Sequence, residues 1–255
     1  MNYQQPSIYL FDIRIDEPVV TLTDLLLAFV CLYAYRRLKK QDSQNQAFIQ
    51  IRMFFLLIGL STILGGIFGH GFLYYFNQTW QHPDWLQNFI DSIPFLIAFK
   101  PFYFFRLPGW LLGIFAIYMF EQGMVHWFSN QLKPRTTRFL LSLNIVEVIL
   151  VTSFVLLTFN FLYVVLHIIY GLLLVVCTLH IYLFFKYKYA SSLYMIGAVL
   201  AMIVAGIVHA TKLGLSEWFT HHDVNHTIMA LSIFIFLLGV EKLLNENKEK
   251  AQHTI

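Results

Sequence analysis

His222 and His226 stand four residues apart in the stretch THHDVNHTIMALS, where an apolar run begins. Residues four apart on a helix share a face, and this is the spacing at which two imidazoles hold one zinc ion. Two ligands do not make a site. A third imidazole is offered by His70 in GGIFGHGF, flanked by Gly65, Gly66, Gly69 and Gly71, residues that let helices or a ligand approach closely. Three nitrogens and a water make an open, catalytic kind of zinc site, whereas a structural site is closed by a fourth protein ligand. His221 offers a second pairing, with His226, if the helix starts late. The plain alternative for the pair is a polar helix end.

Carboxylates near these histidines are few. Asp24, in EPVVTLTDLLLAF, lies inside an apolar stretch seven residues after Glu17 and on nearly the same helical face. It could orient a ligand imidazole or take a proton from metal-bound water as general base; the structural alternative is a bond to Thr21 or to a neighbouring helix. Asp223 is either a second candidate base or the cap of the last helix. Asp84 and Asp91 reach the histidines only if their segment folds inward.

Such residues need elements to hold them, and composition says of what kind. A chain of 255 residues that is 58% hydrophobic, 18% aromatic and 12% charged has more apolar surface than one soluble domain can hide, so a bilayer takes part of it. Runs of about 20 apolar residues predict spans near 19–37, 53–76, 107–128, 138–159, 161–185, 190–213 and 224–243. The expected fold is all-α, a seven-transmembrane helix bundle forming a single domain over 1–255. The polar opening and the long first span followed by Arg36 and Arg37 argue against a cleaved signal peptide.

Thirteen of the 17 Lys and Arg residues follow spans one, three and five or lie in the tail, while Arg14, Lys100, Arg106 and Lys212 fall on the other side. The positive-inside rule then predicts the N-terminus outside and the C-terminus cytoplasmic. This collects six of the 10 histidines (His70, His82, His209, His221, His222, His226) at the outer face. The net charge of +3 is thereby a topology signal, with no nucleic-acid partner behind it. Cys31 and Cys177 fall within spans, against a disulfide framework. A retinal Schiff base needs a lysine mid-helix, and Lys212 and Lys242 are at helix ends.

The connection 77–106 is apolar and aromatic but interrupted by Pro83, Pro94 and Pro101. It predicts an interfacial or re-entrant lid with a short helix starting near Pro83. Within the spans, Glu147, Asn144 and His180 are expected to form an interhelical hydrogen-bond set, and Glu121 and His126 to be interfacial.

Seven spans, an acidic residue at the first, a histidine near the end of the second and H-x-x-x-H opening the seventh together resemble the CREST superfamily of alkaline ceramidases and adiponectin-receptor-like proteins, through a divergent bacterial branch. The resemblance implies that His70, His222 and His226 hold Zn2+, that an Asp assists the metal-bound water, and that the lipid substrate is cleaved at an amide. Where that family has a serine four residues before its first histidine, this chain has Gly66.

The function expected is therefore a zinc-dependent hydrolase, multi-pass in a bacterial inner (plasma) membrane, cleaving an amide or ester bond of a lipid such as an N-acyl substrate. Zinc would lower the pKa of its water to about 7 and polarise the carbonyl, with Asp24 or Asp223 as base. Two other classes remain: a metal- or ligand-binding transporter or receptor, and a bis-histidine haem carrier using His70 and His209.

Overall fold

The computed structural model describes residues 5–41, 45–93, 100 and 103–252. A hairpin of β1 (Ile8–Leu10) and β2 (Ile13–Ile15) precedes helices α1 (Pro18–Lys39), α2 (Gln46–Gly71), α3 (Asp84–Asp91), α4 (Tyr103–Trp127), α5 (Pro134–Thr158), α6 (Leu162–Tyr187), α7 (Ser191–Thr211) and α8 (His221–Gln252). All of these except α3 are helices long and apolar enough to cross a membrane, seven among the described residues. Large apolar side chains face outward on every one of them, for example Phe29, Leu60, Phe115, Ile149, Leu174, Leu200 and Leu231. That is surface of the kind a bilayer covers.

The inward faces interlock through aromatic rings. Phe54 of α2 stacks on Phe120 of α4 at 4.4 Å, and Phe236 of α8 meets Phe120 edge-on at 5.1 Å. Phe48, Phe55 and Phe128 complete a core of fully buried rings. Helix α2 begins at Gln46 rather than near 53, because the Asn45 side chain accepts from Ala47 N at 2.9 Å and caps a first turn too polar to read as a span.

Two features shape one end of the bundle. The glycine-rich close of α2, Gly65–Gly71, is π-helical, with Phe72 N donating to Ile67 O at 3.0 Å. Such π turns recur at functional sites, since one extra residue per turn re-aims the side chains beyond it. The β1–β2 hairpin was not expected from a stretch that reads as a polar opening. Its turn places Phe11 and Asp12 at φ of 50° and 63°, the left-handed pair of a two-residue hairpin loop. Asp16, just after β2, fastens it to the end of α2: Oδ2 accepts from Tyr74 N at 2.6 Å, Oδ1 accepts from Arg14 Nε at 2.7 Å, and Asp16 N donates to Gly71 O at 2.9 Å.

Of the expected lid, Asp84–Asp91 is a helix starting right after Pro83. It presents Trp85 and Phe89 to the surroundings. Residues 94–99 and 101–102 of that segment lie outside the described residues.

Candidate metal centre

The start of α1, the π turn of α2, the end of α7 and the start of α8 meet at one end of the bundle, each bringing a histidine or carboxylate, and the hairpin is fastened beside them. Helix α1 starts at Pro18, where a missing N–H costs nothing. The Gln5 side chain completes the cap, its Oε1 accepting from Val19 N at 2.9 Å and Val20 N at 3.2 Å, while its Nε2 donates to Trp218 O at 2.7 Å. This links the first span to the loop before the last. Helix α8 starts at His221 because Asp223 Oδ2 accepts from both Thr220 N, at 2.6 Å, and Thr220 Oγ1, at 2.8 Å, a relative of the capping box.

That start fixes the phase of the histidines. His226, on the face of α8 toward α1, puts Nδ1 3.4 Å from Asp24 Oδ1. His70, re-aimed by the π turn, puts Nε2 4.0 Å from Asp24 Oδ2. One ligand atom from each of Asp24, His70 and His226 lies within 4.8 Å of the others. Ligands about 2.0–2.1 Å from one tetrahedral ion stand roughly 3.3 Å apart, so these separations are close to those of a shared metal. Asp24 is buried and its Oδ2 has no hydrogen-bond partner among the described residues. A buried carboxylate oxygen without a donor calls for a cation.

The second nitrogen of His70 is also accounted for. Its Nδ1 lies 2.5 Å from Glu17 Oε2, so Nδ1–H donates to a carboxylate and Nε2 keeps its lone pair toward Asp24. A carboxylate behind the imidazole is the usual support of a metal-ligating histidine. Burial works to raise the Glu17 pKa, but the hydrogen bond from His70 and the nearby Arg106 guanidinium outweigh it and hold the carboxyl below its usual range. Glu17 was expected only as a neighbour of Asp24 on one helical face; the contact with His70 depends on the π turn.

His222 falls between two groups. Its ring is 5.3 Å from that of His70 and 6.4 Å from that of His226, yet its ligand atom clusters more closely with those of His209 and His221, again within 4.8 Å. The His221 and His222 rings are 4.0 Å apart, and His221 joins this second trio rather than His226. The structure thus brings together four of the expected site residues around one point (Asp24, His70, His226 and, at the edge, His222). Asp223 is engaged in the helix cap and with Thr23 Oγ1 at 3.5 Å. His82 is paired with Gln87 on the α3 side.

Two expectations about the other polar groups are corrected. Glu147 pairs with His167, and His180 instead contacts Ser192 Oγ at 3.1 Å across α6 and α7. Glu121 is fully buried rather than interfacial, because Gly171 of α6 leaves room for its carboxylate. His167 was missed: an isolated histidine in LYVVLHIIY has no spacing partner in the sequence.

Seven helices long and apolar enough to cross a membrane, with buried histidine and carboxylate groups that could hold a metal ion, fit a multi-pass membrane protein with a candidate metal centre. The chain belongs to a family of unknown function (DUF6962), whose model matches residues 19–245. No curated protein matches it, and no solved structure does.

Proposed function

We propose that this protein is a metal-dependent membrane hydrolase, with zinc held by His70, His226 and Asp24 and a lipid amide or ester as substrate. The observation that carries this reading is the convergence of two imidazoles and an orphaned buried carboxylate oxygen, with Glu17 behind His70. Zinc in such a site supplies an activated water near neutral pH and a Lewis acid for the scissile carbonyl. The protein's own part is positioning. Glu17 holds the His70 tautomer, Thr23 Oγ1 stands 3.4 Å from His226 Nδ1, and His222 lies beside the centre as a further ligand or proton acceptor. The resemblance of the histidine motifs to those of the alkaline ceramidases supports a lipid substrate. A cleft of about 490 Å3 between the start of α4 and the α5–α6 turn, lined by Tyr103, Arg106, Trp110 and Phe161, is a place for its polar end.

A second reading, metal transfer without hydrolysis, is favoured by one observation: the trio His209, His221 and His222 adjoins the centre, and His209 is exposed. The haem reading has no such support, because the His222 ring lies against both His70 and His209, at 5.3 and 5.2 Å. The test is turnover. Zinc-loaded protein in nanodiscs is offered ceramides, N-acyl amino acids and lysolipids, and release of fatty acid is followed. Hydrolysis abolished by chelation and restored by zinc is expected; a protein that keeps its zinc yet cleaves none of these substrates overturns the hydrolase in favour of metal transfer.

A further inference from the structure

A second polar cluster lies inside the bundle, among α4, α5 and α6, away from the centre at the helix ends. Glu121, Glu147 and His167 each offer one ligand atom, and the three atoms lie within 4.8 Å of one another. The His167 ring is fully buried. Its Nε2 is 2.9 Å from Ile114 O; a carbonyl can only accept, so Nε2 carries the hydrogen. In the neutral ring Nδ1 is then a bare lone pair, and it faces Glu147, whose Oε1 and Oε2 are 2.8 and 2.7 Å away. Glu121 is 0% exposed, and neither of its carboxylate oxygens has a hydrogen-bond partner among the described residues.

The nearby donor is turned elsewhere. Tyr170 donates its hydroxyl to Asn144 Oδ1 at 3.1 Å. A Cβ at Gly171 would stand 2.1 Å from Glu121 Oε1, so only glycine at that point of the π-helical stretch Tyr170–Cys177 allows the carboxylate its place. Two carboxylates and an imidazole lone pair thus converge in apolar surroundings, where uncompensated charge is costly.

We propose that Glu121, Glu147 and Nδ1 of His167 form a second binding site, within the membrane-spanning region, for one divalent transition-metal ion of the zinc or manganese class. Two carboxylates, a neutral imidazole and a doubly charged ion sum to zero charge, the state an apolar interior favours. An N,O,O donor set suits those ions, and a main-chain carbonyl on the far nitrogen is a usual support of a ligating histidine. Seating the ion spreads Glu147 and Nδ1 by about half an ångström toward the spacing of tetrahedral ligands. Glu121, which no hydrogen bond holds, closes on it. The ion would tie together three helices.

The experiment uses full-length protein in nanodiscs, incubated with zinc or with manganese, desalted and assayed for metal per chain by mass spectrometry. The variant His70→Ala/His222→Ala/His226→Ala removes the centre at the helix ends whatever its function. That variant should retain one equivalent, and adding Glu121→Gln or Glu147→Gln should weaken its retention at least tenfold. X-ray absorption of the zinc-loaded triple variant needs no change in the inner cluster and should show one imidazole with oxygen ligands. No retained metal in the triple variant, unchanged retention after Glu121→Gln, or a shell of two or more imidazoles would each overturn the proposal and leave a cluster balanced by protons alone.

Discussion

A Cβ placed on Gly66 would stand 2.8 Å from the Cβ of Asp24. The π turn of α2 therefore rests directly on α1, and the absence of a side chain at 66 is what lets Asp24 reach both His70 and His226. A serine there, as in the resembled family, cannot share this geometry unless one backbone moves.

Gly66→Ser should accordingly displace Asp24. Overpacking of this kind costs about 1–3 kcal/mol, and the expected result is a lower unfolding temperature in detergent together with zinc affinity weaker by on the order of tenfold. Unchanged affinity would mean that Asp24 does not share the ion.

Glu17→Gln keeps size but removes the charge behind His70. Loss of such a supporting carboxylate weakens metal binding about 10–100-fold, with the helical spectrum and yield of the wild-type protein. Competition against a fluorescent zinc chelator measures it.

The fold was legible where the physics is local. Apolar runs announce spans on length alone, and His222–His226 announces a shared face because both belong to one helix. The contacts that complete the centre were not. His70 meets Glu17 and Asp24 only after a π turn shifts its phase, and no periodicity of 3.6 contains that shift. The hairpin escaped because its turn, Phe11-Asp12, lacks the glycine that usually marks such a loop. His167 and Glu121 escaped because their partners come from other helices, at separations that only packing decides.

Asp16 is the hairpin's fastening, and Asp16→Ala should leave the Tyr74 amide without its acceptor. The site is half-buried, so the loss should cost about 1 kcal/mol, the low end for an unsatisfied donor. Faster proteolysis near the N-terminus should follow, with α-helical content retained; equal protease resistance would show that the hairpin is held by other contacts.

Orientation is tested by labelling. The charge asymmetry of the connections predicts that a cysteine in place of Glu217, in the connection between α7 and α8, reacts with an impermeant reagent on intact cells, while one in place of Gln41 reacts only after permeabilisation. Native Cys31 and Cys177 are buried and leave a quiet background. The opposite pattern would move the centre to the cytoplasmic face.

The central claim is that Asp24, His70 and His226 share one metal ion, and the most direct measurement is zinc binding to stripped protein in nanodiscs by titration calorimetry, in a Glu121→Gln background that silences the inner cluster. One site per chain is expected, with His70→Ala, His226→Ala and Asp24→Ala each weakening it by tenfold or more, while His126→Ala, which removes a contact to Gln50 at the other end of the helices, leaves it unchanged. Equal binding in all four variants would contradict the account.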